Sequence, residues 1–317
     1  MLEYAFFVIG FAVLLKGADF LVEGASSLAK KLKVSDMVIG LTVVAFGTSM
    51  PELVINITAS LRGATDIAIG NVLGSNIANI LVIFGICAII MPFKVKNTTI
   101  WKETPMHLLG VVVLAVLAND FLINNAAESA LSRSDGIIML LFFCVFMYYV
   151  VRNAKDGFKD TNTKERGLVL SIVLVALGLL GLTVGGEWVI TNAIIIATNI
   201  GISEILISLT IIAFGTSLPE VITAIIAAYK RNTSLAIGTA IGSNIFNIFF
   251  VLGTSAAIRP IAFSLALNTD ILVLGLSSVI VFAVMLLGKK QKTIERKEGI
   301  LLLFIYAAYL AFIVSRG

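Results

Sequence analysis

Two carboxylates stand where an apolar sequence should hold none. Glu52 closes the segment Gly47-Thr48-Ser49-Met50-Pro51-Glu52 and Glu220 closes Gly215-Thr216-Ser217-Leu218-Pro219-Glu220, each inside a long hydrophobic run. Proline has no backbone N–H, so Pro51 leaves the carbonyl of Gly47 without its helical partner, and Pro219 does the same to Gly215. Glycine at the same turn lowers the cost of bending, and irregular backbone at membrane depth is tolerated where it lines a cavity or meets other protein. A freed carbonyl beside a carboxylate is a cation ligand. Thr48 and Ser49 precede Glu52 by four and three residues, so their hydroxyls share its helical face, and Thr216 and Ser217 stand in the same relation to Glu220.

Downstream of each motif comes a second pattern. Gly70-Asn71-Val72-Leu73-Gly74-Ser75-Asn76-Ile77-Ala78-Asn79 follows the first, and Gly238-Thr239-Ala240-Ile241-Gly242-Ser243-Asn244-Ile245-Phe246-Asn247 the second. The glycines have small-xxx-small spacing, which lets another helix approach closely. Ser75 with Asn79, and Ser243 with Asn247, are thereby brought toward Glu52 and Glu220. Helix packing alone accounts for the glycines but not for amides and carboxylates at matching depths. Two buried carboxylates with no arginine or lysine in these segments cannot both stay ionised in a dry site, so protons or metal cations must balance them. Hydroxyl, amide, carbonyl and carboxylate oxygens without His or Cys suit hard ions such as Ca²⁺ and Na⁺. A ligand set drawn from four helices fits the flexible six-to-eightfold geometry of Ca²⁺ better than the strict octahedron of Mg²⁺.

The elements that must position these residues are membrane helices. Of 317 residues 59% are hydrophobic and 13% charged, with mean hydropathy +1.04, outside the range of soluble domains. The fold class expected is an all-α polytopic membrane protein. Apolar runs long enough to span fall at 4–29, 37–61, 67–91, 105–119, 136–151, 167–198, 204–229, 235–258, 270–287 and 298–315, ten transmembrane helices in two sets of five. Residues 36–92 align without a gap on 204–260, a constant offset of 168, with 26 of 57 positions identical. With the N-terminus outside, eighteen lysines and arginines fall in inner loops, against Arg62, Arg133, Arg259 and Arg316 outside, as the positive-inside rule requires. Both termini are then outside and the net charge of +4 reflects topology, not nucleic-acid binding.

An odd number of spans per half makes the two repeats inverted in topology, and inverted repeats with interrupted helices mark secondary transporters whose site lies near the midplane. The halves run 1–152 and 167–317, joined by a short polar cytoplasmic linker, 153–166, too small for a regulatory domain. The first apolar run carries Glu3 and no persuasive cleavage site, so it reads as a span and not a signal peptide. Ser35-Asp36 and Ser203-Glu204 read as N-caps. Lys16 and Asp19 read as an intrahelical pair near the membrane edge, with Glu187 matching Asp19 in the second half. Residues 120–135 read as a solvated outer loop, His107 as structural, and Cys87 and Cys144 as small buried residues.

The duplicated Gly-Thr-Ser-x-Pro-Glu with Gly-Ser-Asn-Ile-x-Asn closely resembles the alpha-repeats of the sodium/calcium exchangers, in the cation/calcium antiporter superfamily. The resemblance covers both repeats and nearly the whole chain. It implies that Glu52 and Glu220 are central ligands shared by Ca²⁺ and Na⁺, with Thr48, Ser49, Thr216 and Ser217 lining the site. Asn79, Asn247, Ser75 and Ser243 would complete it, and the carbonyls of Ala45 and Ala213 would flank its two ends. It also implies that spans 1 and 6 slide past the other eight helices, and that the chain is a prokaryotic-type member of the plasma membrane without a regulatory domain. Some members, including the potassium-dependent branch, look different in carrying aspartate where this chain has Asn247. The site's formal charge of −2 argues against K⁺ coupling. One Ca²⁺ or two Na⁺ neutralise it, and three Na⁺ would make exchange electrogenic.

The expected function is therefore antiport of Na⁺ against Ca²⁺ by alternating access, with no cofactor and the lipid bilayer as surroundings. The nearest alternative is an H⁺/Ca²⁺ antiporter on the same fold, because protons must compete to some extent for two adjacent carboxylates. The serine, threonine and asparagine oxygens are superfluous for protons alone. A cation channel fits less well, since two inverted halves around one site favour alternating access. An intramembrane enzyme has no support: one histidine excludes HExxH and no nucleophile–histidine pair is evident.

Overall fold

In a computed structural model, residues 2–63, 65–124, 129–155, 158, 166–201, 213–287 and 292–316 are described. In chain order the long helices are α1 (Leu2–Leu32), the bent pair α2 (Asp36–Thr48) and α3 (Met50–Arg62), α4 (Ala68–Ile90), α5 (Thr99–Leu117) and α6 (Arg133–Arg152). There follow α7 (Leu168–Asn199), the short apolar α8 (Leu218–Tyr229), α9 (Thr233–Ile258), α10 (Leu265–Leu287) and α11 (Arg296–Ser315). Among the described residues eight helices are long and apolar enough to cross a membrane, and α2 with α3 makes a ninth if the bent pair is one span. The remaining expected span, 204–229, is represented only by Ala213–Gly215 and α8, because 202–212 lie outside the described residues.

The helices are sorted by burial. Inside the molecule lie 94% of the most apolar stretch of α9 and 78% of that of α4, against 17% in α11. The two helices that carry the Gly-Ser-Asn patterns thus form the centre, and α6, α7 and α11 turn much of their apolar surface outward, as lipid permits. Cys144, expected to be buried, is exposed on α6, whereas Cys87 on α4 is buried and directs its thiol at the Ala224 carbonyl.

Glycines set how closely the helices pack. A Cβ at Gly10, Gly17 or Gly24 of α1 would meet α7 backbone at 3.1, 2.7 and 2.8 Å, and one at Gly178 or Gly185 of α7 would meet Leu21 N or Leu14 N at 2.5 and 2.6 Å. The two longest helices therefore run backbone against backbone as one pair, and Ser171 donates a hydrogen bond across the seam to Ser27 (2.8 Å). Near the same end Arg166 pairs with Glu23. The expected close approach at Gly238 and Gly242 is present, against Met37 O (2.7 Å) and Leu41 Cα (2.8 Å) of α2. The segment that would face Gly70 and Gly74 in the same way falls within 202–212.

Local signals behave as chemistry requires. Ser35 accepts from Val38 N and caps α2, while the Ser203 cap falls outside the described residues. Within the expected loop 120–135, of which 125–128 lie outside the described residues, Asp120–Asn124 is helical, and Ser132 with Asp135 forms a capping box on α6. His107 is buried against the Ser278 hydroxyl at 2.8 Å, a structural contact. Among the described residues four two-residue strands break the all-helical pattern. β1 (Phe93–Lys94) pairs with β4 (Thr293–Ile294), and β2 (Ala130–Leu131) with β3 (Ile261–Ala262). β1 and β3 are 168 residues apart, so each repeat's last loop is stitched to the far end of the other half.

Candidate cation site

The two carboxylates begin helices rather than interrupt them. The chain turns by 45° between Thr48 and Met50, and α3 restarts with Pro51 and Glu52 in its first turn. α8 restarts in the same way, with Pro219 and Glu220. Proline at a first turn costs no hydrogen bond inside the new helix, while the preceding short helices, Ala45–Thr48 and Ala213–Gly215, end with carbonyls left over. Each break therefore gathers the carbonyl end of one half-helix and a carboxylate at the amide end of the next, where the helix dipole favours negative charge. The motif glycines have a further use: Gly47 accommodates Leu179 and Gly215 accommodates Ile190, both from α7, so closely that a Cβ at either position would push the neighbouring side chain aside.

The breaks meet at the centre, crossed by contacts between the repeats. Thr48 Oγ1 lies 3.5 Å from Ser243 Oγ, and its repeat-mate Thr216 Oγ1 lies 3.3 Å from Ser75 Oγ. Ser49 donates to Glu220 Oε1 at 3.1 Å. Thr48 also donates to the Val44 carbonyl (3.1 Å), with the Ala45 carbonyl at 3.4 Å. Glu52, Ser75, Asn79, Ser217, Glu220, Ser243 and Asn247 are wholly buried, and Thr48, Ser49 and Thr216 nearly so. Of Ala213 only the backbone is described; it opens the short helix preceding Thr216.

Many of these buried oxygens have no partner. Both oxygens of Glu52, Oε2 of Glu220, Oδ1 of Asn79, Oδ1 of Asn247 and the Ser217 hydroxyl make no hydrogen bond. A buried, unpaired carboxylate is strongly unfavourable, and here two sit in one cluster among amide and hydroxyl oxygens. A cation held between them would satisfy those groups together.

Three residues escaped the reading of the sequence. Asn76 Nδ2 donates to the Asn244 carbonyl (3.4 Å), and Asn244 Nδ2 donates back to the Asn76 carbonyl (3.1 Å), a reciprocal pair 168 residues apart. Asn247 Nδ2 then donates to Asn76 Oδ1 at 3.2 Å, which turns its own oxygen free. Asn71 Oδ1 accepts from Thr216 at 3.1 Å. Asn76 and Asn244 belong to the duplicated Gly-Ser-Asn, so their recurrence in register was the signal available.

Helices of this length and polarity, with a buried oxygen cluster at two helix breaks, define a polytopic membrane protein with a polar centre. The model of the sodium/calcium exchanger protein family matches residues 2–152 and 170–315, and the chain belongs to that family of antiporters, not to the enzymes. It is 36% identical to the putative antiporter CaxA of Alkalimonas amylolytica, over 98% of each chain. It is 32% identical to the sodium/calcium exchanger MaX1 of Methanosarcina acetivorans, over 97% of each. The sodium-calcium exchanger NCX_Mj, solved after soaking with Na⁺ and Ca²⁺, superimposes with a TM-score of 0.84 at 34% identity, covering 98% of both chains. A more distant similarity, 26% identity over 67% of this chain and 64% of the relative, links it to the Ca²⁺/H⁺ antiporter ChaA of Bacillus subtilis.

Proposed function

We propose that this chain exchanges Na⁺ for Ca²⁺ across the membrane by alternating access, the two ions competing for one oxygen site near the midplane. The observation that carries the reading is the set of unpaired, fully buried oxygens on Glu52, Glu220, Asn79 and Asn247. Glu52 and Glu220 supply the charge. Thr48, Ser49, Thr216 and Ser217 line the site, Ser75, Ser243, Asn79 and Asn247 complete it, and the carbonyls of Ala45 and Ala213 lie at its ends. The transported ions are substrates; no cofactor takes part. Only a charge-balanced site crosses the closed intermediate cheaply, since moving bare carboxylates through it costs several kcal/mol, and that makes exchange obligatory. The spans number ten in this reading, as two inverted five-helix halves, 1–152 and 167–317, with the linker 153–166 in the cytoplasm and both termini outside.

The test is neutralisation of each carboxylate. Glu52→Gln and Glu220→Gln are expected to abolish Ca²⁺ uptake in proteoliposomes while leaving a monodisperse, folded protein; full exchange in either variant would refute the assignment. A second reading, proton-coupled Ca²⁺ antiport at the same site, is favoured by the likeness to a Ca²⁺/H⁺ antiporter. The hydroxyl and amide oxygens around the carboxylates favour Na⁺.

A further inference from the structure

The two repeats match in sequence, yet the structure treats their equivalent gaps differently. On the side where the lysine-rich loops gather, α1 packs along α8. There Lys230 Nζ reaches Asp19 Oδ1 at 2.5 Å and donates to the Asp19 carbonyl at 3.1 Å. Lys16 adds a contact at 3.2 Å, and Asn232 Nδ2 donates to Ser26 Oγ at 3.0 Å just beyond. Lys16 and Asp19 were expected to pair within their own helix; the structure adds a partner from the other half of the chain.

Subtracting or adding 168 carries this clamp to the opposite side of the molecule. Asp19 becomes Glu187 on α7, and Lys230 becomes Arg62 at the end of α3, so charge and order are kept. That pair is open: Glu187 and Arg62 are both exposed and no ion pair joins them. α7 scarcely touches α3, and a cavity of about 430 Å³ occupies the gap. Glu187 and Thr191 line it on one wall and Val54 on the other, and it reaches Pro51, Pro219 and Thr216, next to the motif carboxylates in the chain. One gap is shut and pinned by an ion pair. Its counterpart is open, with both ion-pair partners in place and apart.

We infer that Asp19–Lys230 and Glu187–Arg62 are alternating latches, the first holding the lysine-rich side shut while the second is open, and the second closing the opposite side when α1 and α7 shift together. The glycine seam makes α1 and α7 one body, so a displacement that opens the α1–α8 gap closes the α7–α3 gap. The four residues are positioning groups that touch no transported ion. Lys16 has only Val184 at the matching position, so the second latch carries one cation where the first carries two. The inference rests on the alternating-access reading.

The test measures distance, not flux. Spin labels at Leu61 and Ile195, exposed positions on α3 and α7, span the open gap in a Cys144→Ser background; Cys87 is buried. In nanodiscs at saturating Na⁺, where the charge-balanced site can cross between the two faces, Asp19→Asn and Lys230→Gln are expected to lower the ratio of long-distance to short-distance populations about three- to fivefold, the scale of a partly exposed ion pair. The charge-exchanged double variant D19K/K230D is expected to restore it in part, since Lys16 then meets a like charge. Glu187→Gln and Arg62→Gln are expected to move the ratio the other way, and these exposed sites decide the matter if the first pair of variants does not fold. Distances that ignore all four substitutions, or that shift in the same direction for both pairs, would overturn the latches. Na⁺-driven Ca²⁺ uptake by the same variants in proteoliposomes reports on the exchange reading separately, so shifted distances without such uptake count against exchange and not against the latches.

Discussion

A buried side chain oxygen is tolerated when something donates to it, and the central cluster divides on that basis. Glu220 receives Ser49 on one oxygen, whereas Glu52 and Ser217, the equivalent pair in the other direction, make no such bond. Ser49→Ala in the ion-free protein is thus expected to cost about 1–3 kcal/mol, the penalty for leaving a buried acceptor unsatisfied, while Ser217→Ala should be close to neutral. Chemical denaturation of the two variants in detergent checks the difference, and equal effects would mean that the asymmetry is not real. Asn76→Ala removes the donor to Asn244 O and the acceptor for Asn247 at once, so it is expected to lower the midpoint of thermal unfolding more than either serine change. The carboxylates, hydroxyls and Asn79 with Asn247 were legible in the sequence because they recur in register at helical spacings. Asn76 and Asn244 were not assigned a role, since one-face reasoning from Ser75 leads to Asn79, and only the crossing of α4 and α9 brings the two Gly-Ser-Asn asparagines together.

Among the elements, the broken helices are the part most directly written in the sequence. Proline four residues after glycine marks the break, but it does not say that the helix restarts with the proline in its first turn, which converts an interior defect into a favourable start. Widened π-type turns follow in the partners: one runs from Asn79 to Ile83 and another from Phe246 to Leu252, so Asn79 and Asn247 lie where the helix register is locally reset. Such bulges frequently accompany functional sites and have no short sequence signature. The α1–α7 seam was likewise unread, although its glycines recur at Gly10, Gly17 and Gly24 and at Gly178, Gly181 and Gly185. Its test is a matched pair on one helix. A Cβ at Gly178 would fall 2.5 Å from Leu21 N, whereas one at Gly186 would meet nothing nearer than Leu14 Cδ1 at 3.7 Å. Gly178→Ala is expected to destabilise by about 1–3 kcal/mol, as overpacking does, and to slow transport; Gly186→Ala should leave thermal stability and uptake near the parent values.

At the scale of the whole molecule, composition alone gave the class, and the family match and the fold of NCX_Mj agree with it. Loop ends from the two halves meet: Phe93 with Ile294 in one ladder, Leu131 with Ile261 in the other, and Arg259 Nη1 on the Leu61 carbonyl. What no sequence with two matching repeats reveals is which of two equivalent gaps is open, because that is a property of the conformation and not of the chain. The central claim is that the buried oxygens couple Na⁺ to Ca²⁺. Its most direct test is ⁴⁵Ca²⁺ uptake into proteoliposomes loaded with Na⁺ and diluted into choline, K⁺ or Na⁺ medium, with and without an imposed pH gradient. The account predicts uptake driven by the outward Na⁺ gradient, abolished by equal Na⁺ on both sides and indifferent to external K⁺. Uptake that follows the pH gradient and ignores Na⁺ would contradict it and assign Glu52 and Glu220 to proton-coupled transport.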